Sequence, residues 1–371
     1  MDVNQSVVAV LGAGNVGCAL AAHLAITGAE VRLCDRSTTR LQAIRDAGGI
    51  TLTGALEGFG VLGMLTESVA EAVADADVVA VTVPTPALPY FADDLAETTS
   101  DDQLILLNPG HSGGALYLAA EMARRGGRRN RRICQLSTAS HGSRMTGPAT
   151  VGVFGLAQVR LASIPIDATE ECQAAIDKLL PGRVDTAGSV LELDLANMNA
   201  VMHPAQMVCN ASWIEDSGGD FHIYQEGSGP AVSRVIEAVD AERLATAAAL
   251  KVPASSFVHF LHQAGYTTAE AAAAGRVYRA LQDGDAIRSV KAPSTLDHRY
   301  LHEDIGWGLV PWMALAEVAD VPTPTMAALT QLGGAMNNID YRSSGLTLDR
   351  MGLTGVTHDQ IRRFARTGRA D

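Results

Sequence analysis

No uninterrupted apolar run approaches the roughly 18 residues that a membrane span needs; stretches such as Val78–Pro84 and Leu104–Leu107 are far shorter. The start, Met1–Ser6, is largely polar and lacks the basic-then-apolar order of a secretory signal, so a cytoplasmic protein is expected. Cysteine is scarce. The five residues at 18, 34, 134, 172 and 209 are odd in number, widely spaced and form no CxxC, which argues against a disulfide framework and against a metal site. Positive charge is also short: 28 Lys+Arg against 41 Asp+Glu leaves −13. That balance opposes nucleic acid or an anionic membrane as partner, because phosphate binding needs a positive surface. The basic cluster Arg124–Arg132, with six arginines in nine residues, reads as a solvated turn between the helical pattern Ala115–Met122 and a short strand Ile133–Leu136.

What is present is enough for two domains. The 371 residues are 47% hydrophobic and 19% charged, which excludes a disordered chain. The first half alternates short β-branched runs (Val7–Leu11, Glu30–Cys34, Val78–Val83, Leu104–Leu107, Ile133–Leu136) with helical segments such as Gly14–Gly28 and Ser37–Asp46. Alternation of this kind predicts βαβ units and a parallel sheet covered on both faces. After Gly188 the 3.6-residue period dominates, over Val190–Ile214, Val232–Leu250, Ala254–Gly265, Ala269–Leu281 and Leu309–Val318. The expectation is an α/β protein: a Rossmann-type domain with a parallel sheet, residues 1–188, followed by a mostly α-helical domain, residues 189–371.

Gly12-Ala-Gly14-Asn15-Val16-Gly17 follows the first strand and opens a helix, and Asp35 ends the second strand. Gly12 suits a tight turn, Gly14 close approach of a pyrophosphate, and Gly17 helix–strand packing, while the helix N-terminus offers free N–H groups to phosphate. Asn15 and Val16 of this turn, and Pro84 after Val78–Val83, join the expected cofactor contacts. Asp35 suits a ribose hydroxyl and hence NAD(H). Arg36, Ser37 and Arg40 offer donors where a 2′-phosphate would lie, an arrangement similar to NADPH sites of β-hydroxyacid dehydrogenases and imine reductases. NADP(H) is favoured, with Asp35 turned away or bridged to an arginine, and NAD(H) stays open.

In the second half Asn199, His203, Gln206 and Asn210 fall on one stripe of a helix among apolar neighbours. Polar groups carried into a core need partners, so the stripe marks either solvent or a site; for His203 alone a satisfied structural role is the ordinary reading. Several blocks then make a pattern: Asn199-Ala-Val-Met-His203-Pro204, Tyr224-Gln-Glu226-Gly227-Ser-Gly-Pro230, Asp240-Ala-Glu242-Arg243, Arg299-Tyr-Leu-His-Glu303-Asp304, Asn108-Pro109-Gly110 and Gly345-Leu-Thr-Leu-Asp-Arg-Met-Gly352. Together they resemble the opine dehydrogenase family over nearly the whole chain. The resemblance implies an enzyme that joins an amine to an α-keto acid and reduces the imine with nicotinamide hydride. It further implies a homodimer, with the reaction in a cleft between the domains.

By the same resemblance His203 is the general acid/base, oriented by Asp304. Arg299 grips a substrate carboxylate, Asn199 holds substrate or nicotinamide, and Asn108 lies at the nicotinamide crevice. Tyr224 and Glu226 are read as fixing loop geometry, and His111 and His141 compete for the acid/base role. One departure stands out. Where the family shows Glu-Thr nine residues before an Arg, with an aromatic between, this chain has Gln135 and Ser143-Arg144, with His141 at the aromatic position. Gln135, taken as a substrate contact, would disfavour a cationic amine donor such as arginine and favour a neutral or hydrophobic one. A hydroxyacid dehydrogenase or cyclic-imine reductase on the same scaffold, and more remotely a nucleotide-sensing protein without turnover, are the rival readings.

Overall fold

The computed structural model describes residues 6–125, 131–284 and 287–367. Residues 126–130, the middle of the arginine cluster, lie outside them. The chain divides into two compact units, the first running through Asp194 and including Arg350–Gly352, the second formed by Leu195–Asp349 with Leu353–Arg362.

The first unit contains twelve described strands: β1 (Val7–Leu11), β2 (Glu30–Cys34), β3 (Ile50–Gly54), β4 (Gly58–Gly60), β5 (Met64–Thr66), β6 (Val78–Val81), β7 (Leu104–Leu107), β8 (Arg132–Leu136), β9 (His141–Gly147), β10 (Thr150–Leu156), β11 (Val159–Ile164) and β12 (Val184–Thr186). Eight of them make a sheet in the order β12-β11-β8-β7-β6-β1-β2-β5. From β5 to β8 all pairings are parallel, while β11 runs antiparallel to β8. β6 and β7 are buried at every position. Helices on both faces account for that, and for the unbroken β-branched and leucine runs in place of alternation. The order reverses between β1 and β6, the switch point at whose carboxyl side such sheets bind ligands.

A second sheet, β4-β3-β10-β9, was not visible in the sequence. β4 is only three residues long and β9 is rich in Gly, Ser and Thr, while the alternation in β3 and β10, which buries Ile50, Leu52, Val151 and Val153, spans few residues. It is tied to the Asn15–Ile26 helix: Asn15 Oδ1 accepts the Met145 N–H at 2.9 Å, and Ser143 Oγ donates to the Asn15 carbonyl at 3.0 Å.

The second unit is helical among its described residues, apart from one isolated bridge between His222 and Lys291. The expected continuous helix over Val190–Ile214 is instead three, Val190–Asp194, Met198–Cys209 and Ala211–Ser217. Asn197 caps the second of these by accepting the Asn199 N–H, the local competition that makes Asn a helix starter. Likewise Ala269–Leu281 breaks at Gly275, which has a φ of +64°, between Ala269–Ala273 and Val277–Gln282.

The Asp240–Arg243 block is architecture. The Arg243 side chain is fully buried. Its guanidinium donates to Asp240 Oδ1 (2.6 and 3.0 Å) and to the Leu195 and Ser255 carbonyls (both 2.6 Å), while Asp240 Oδ2 accepts the Phe257 N–H. Glu242 accepts the Thr325 and Met326 N–H groups at 2.7 and 2.9 Å, placing a carboxylate on the open N-terminus of the Pro324–Asn337 helix. Among the described residues no helix is long and apolar enough to cross a membrane.

Candidate active site

In the first unit the glycine turn has the geometry that its sequence requires. Gly12 sits at φ +105°, and a Cβ there would meet Val83 Cγ1 at 2.6 Å. A Cβ on Gly17 would collide with the Gly12 carbonyl oxygen. Around Gly14 a Cβ would meet nothing within 4 Å. Gly14 is the N-cap of the Asn15–Ile26 helix, with no side chain capping it. Open space in front of free helical N–H groups fits a dinucleotide pyrophosphate. Gly17→Ala should therefore abolish cofactor binding, read as loss of nicotinamide-fluorescence quenching, whereas the open Gly14 tolerates alanine in the unliganded fold.

Asp35 is buried and committed to the turn. Its Oδ2 accepts the Ala13 N–H at 2.7 Å and lies 3.4 Å from Arg40 Nη1, and its Oδ1 accepts the Ser37 N–H at 2.8 Å. The expected bridge to an arginine is thus present. Ser37 caps the Thr38–Ala47 helix, and the Arg36 guanidinium lies 4.6 Å from the Tyr90 ring centroid. Val16 is half-buried beside Gly17, and Pro84 is exposed before the turn Thr85–Ala87.

Two expected ligand contacts are occupied elsewhere. Asn108, at the carboxyl end of β7, is fully buried; its amide donates to Ser140 Oγ at 2.7 Å and accepts the Ser140 N–H at 2.9 Å. Gln135 is also fully buried, its Oε1 accepting the Ala115 N–H and its Nε2 donating to Asp194 Oδ1 (2.8 Å) and the Val190 carbonyl (3.3 Å). With both ends of the amide engaged inside the first unit, the Gln135 argument against a cationic donor loses its footing. Burial pushes the neighbouring Asp194 carboxyl up to about 7, against hydrogen bonds from Gln135 and the Gly113 backbone.

His141 does not act as a free acid/base either. Its Nδ1 is 2.8 Å from Ser140 Oγ and its Nε2 is 3.1 Å from His23 Nδ1. Burial, and then the His23 imidazole, bring its pKa down to about 3. A histidine whose folded-state pKa lies below its unfolded value of about 6.5 stays neutral while the unfolded chain takes up a proton. Its contribution is complete above pH 6.5 and is lost as pH falls toward 3, at up to about 1.4 kcal/mol per pH unit. Urea titrations at pH 7 and pH 5 should show this loss, and His141→Gln should flatten it.

In the second unit His203 is held on both nitrogens. Nδ1 lies 2.7 Å from Asp304 Oδ2 and Nε2 lies 3.0 Å from the Tyr224 hydroxyl, with all three side chains buried. The Tyr300 ring stacks on the imidazole at 3.5 Å between centroids, and its hydroxyl lies 3.2 Å from that of Tyr224. Burial, then Tyr300 and Asp304, hold the Tyr224 phenol well above its ordinary pKa.

Local sequence explains the placement. Asp304 ends the Arg299–Asp304 helix where the chain widens into a π-type turn, Ile305–Leu309. A Cβ on Gly308 of that turn would lie 2.7 Å from Ala200 Cβ, so glycine permits close approach to the helix that carries His203. The rest of the polar stripe secures the Tyr224 loop: Gln206 donates to Ser228 Oγ at 2.7 Å and Asn210 to the Gly227 carbonyl at 2.8 Å. Glu226 accepts the His222 N–H, the loop-fixing role expected of it.

Arg299 is exposed and donates through Nε (2.9 Å) and Nη2 (2.7 Å) to Glu303 Oε2. Asn199 is half-buried one turn before His203. The structure thus brings His203 and Asp304 into direct contact, with Arg299 and Asn199 on the two helices that carry them. Tyr300 was missed. Its only signal was its place between Arg299 and Asp304, and stacking on a histidine 97 positions earlier leaves no local trace. No group of three or more His, Cys, Asp or Glu among the described residues could hold a metal.

Comparison with known proteins bears on the whole chain. Residues 186–337 match the family model described as NAD/NADP octopine/nopaline dehydrogenase, alpha-helical domain. Residues 8–165 match that of ketopantoate reductase PanE/ApbA. An opine dehydrogenase from Arthrobacter sp. (strain 1C) is 35% identical over 97% of this chain and 99% of its own length. Octopine dehydrogenase in complex with NADH and agmatine superposes with a TM-score of 0.80 at 20% identity, covering 98% of both chains. NADP+-bound yersinopine dehydrogenase gives 0.75 at 17% identity, again over 98% of both.

Proposed function

The chain belongs to the opine dehydrogenase family, and from that premise we propose how its residues carry out the nicotinamide-dependent reduction of the imine formed by an α-keto acid and an amino acid. The observation that carries the assignment is the buried His203, with a carboxylate on one nitrogen and a hydroxyl on the other. Asp304 fixes the tautomer with the proton on Nδ1 and stabilises the imidazolium once Nε2 is protonated. His203 thereby takes the proton that frees the donor amine and returns one as the carbinolamine loses water. Arg299, with Glu303 holding one edge of its guanidinium, meets a substrate carboxylate through the remaining N–H groups. Asn199 supplies a neutral hydrogen-bonding group from the same helix as His203.

The bound cofactor supplies the hydride. Gly12, Gly14 and Gly17 with the Asn15–Ile26 helix hold its pyrophosphate, and Arg36, Ser37 and Arg40 hold a 2′-phosphate, giving a preference for NADP(H). Support for that preference comes from Asp35, whose two oxygens are already engaged by Ala13, Ser37 and Arg40. Replacing Arg40 by Ala should lower kcat/KM for NADPH by roughly 10-fold or more while changing NADH little, since a hydrogen bond to a charged group contributes about 1.5–3 kcal/mol. Equal effects on both cofactors would turn the assignment toward NAD(H).

The test of the function is cofactor oxidation with a panel of keto acids and amino acids. Turnover should require both partners. Oxidation with the keto acid alone would instead favour the hydroxyacid-dehydrogenase reading. A homodimer in the cytoplasm goes with this function, and light scattering checks the assembly.

A further inference from the structure

Both ring nitrogens of His203 are engaged by side chains of its own unit. A neutral imidazole exchanges protons at its two nitrogens alone; here Nδ1 faces Asp304 at 2.7 Å, Nε2 faces the Tyr224 hydroxyl at 3.0 Å, and the Tyr300 ring stacks on it at 3.5 Å. The side chain is 4% exposed. With Nδ1–H donating a hydrogen bond to Asp304, Nε2 carries the lone pair and accepts from Tyr224. The next atom beyond Tyr224 is the Tyr300 hydroxyl at 3.2 Å, on a half-buried residue.

We propose that Tyr224 is the proton relay of this site, carrying protons between His203 Nε2 and the reacting substrate or, through Tyr300, the solvent. The proposal rests on the opine-dehydrogenase reading of His203 and extends it to a residue that would otherwise be a loop anchor. The outward transfer balances. The proton on Nε2 passes to the Tyr224 oxygen as the Tyr224 hydroxyl proton passes to the Tyr300 oxygen, and the Tyr300 proton leaves to water. Each hydroxyl ends with one proton, and no electrons change hands. The inward transfer is the reverse.

A relay of this kind works only while the phenol keeps its proton, because a phenolate would trap the imidazolium as an ion pair. The groups facing Tyr224 favour the neutral phenol: burial opposes its ionisation, and Tyr300, Asp304 and Tyr266 oppose it in the same direction. His298, edge-on to the Tyr300 ring at 4.7 Å, and Arg299, which interacts electrostatically with Tyr300, are further charged or titratable groups beside the chain of hydroxyls. The loop is built to hold the phenol still. Gln206 and Asn210, one and two turns beyond His203 on its own helix, bind Ser228 and Gly227, and Ser228 Oγ donates to the Ile223 carbonyl beside Tyr224.

Removing one oxygen tests this. For a relay, Tyr224→Phe should lower kcat about 100-fold or more with KM changed less than about threefold, in the range of a lost acid–base group. Tyr300→Phe, which removes the second step alone, should lose less. If the hydroxyl merely blocks Nε2 until substrate displaces it, Tyr224→Phe would keep or raise kcat, and the proposal falls. A second variant guards against a folding defect: a ring-fluorinated tyrosine at 224 keeps shape and hydrogen bond but acidifies the phenol. It should move the alkaline limb of the kcat profile down by at least about one pH unit, whereas an unmoved profile would leave Tyr224 a structural residue and overturn the relay. His203→Ala in the same assay separates the two levels. If it keeps full activity, the acid/base assignment itself fails; if it loses activity while Tyr224→Phe does not, the relay alone fails.

Discussion

Replacing His203 by alanine lowers kcat by about 10³-fold, within the range that general acid–base groups contribute, and leaves cofactor affinity unchanged. The second half follows from the fold: the glycine turn proposed to hold the dinucleotide belongs to the first compact unit and His203 to the second. Steady-state kinetics and fluorescence titration of the cofactor measure the two quantities separately. Asp304→Asn should act in the same direction. Its amide can donate to Nδ1 and so favour the tautomer that carries the proton on Nε2, the wrong form for a base. The resulting loss is about 10²-fold or more, and kcat at the wild-type level in either variant would remove the pair from the mechanism.

The second large effect concerns stability. Arg243→Ala should cost about 3–5 kcal/mol, because truncation leaves Asp240 as a charge in the core without its partner and deprives the Leu195 and Ser255 carbonyls of their donors. Urea denaturation with an independent helical probe reads this directly. Replacing both members, Asp240→Asn with Arg243→Met, should recover part of the loss, since a neutral pair avoids the stranded charge. A single variant of wild-type stability would show that water reaches the cluster.

How much of this was legible in the sequence follows from the range of the forces involved. β1, β2, β6 and β7 and the glycine turn are set by local runs and by sterics within a few residues, and they stand where the sequence placed them. The side sheet was invisible because β4 and β9 carry little apolar signal and the alternation in β3 and β10 spans few residues. The breaks at Asn197 and Gly275 are decided by one capping side chain and one left-handed glycine, which periodicity averages away. In the site, His203 and Asp304 were found by family resemblance, whereas their contact across 101 positions comes from a π-type turn that no hydrophobic pattern encodes. Gln135 and Asn108, expected to contact ligands, are instead seen hydrogen-bonded inside the first unit. An amide placed at a strand end looks the same in sequence whether it faces a ligand or ties two elements together, and only burial tells these apart.

The Asn15 amide gives the side sheet a say in cofactor chemistry. The Asn15 side-chain oxygen and the Ser143 hydroxyl fasten the start of the glycine-turn helix to this ribbon, so a change in the ribbon can retune affinity at the pyrophosphate site proposed above. Variation in that ribbon is therefore a route by which this scaffold can adjust to the nicotinamide supply of a cell.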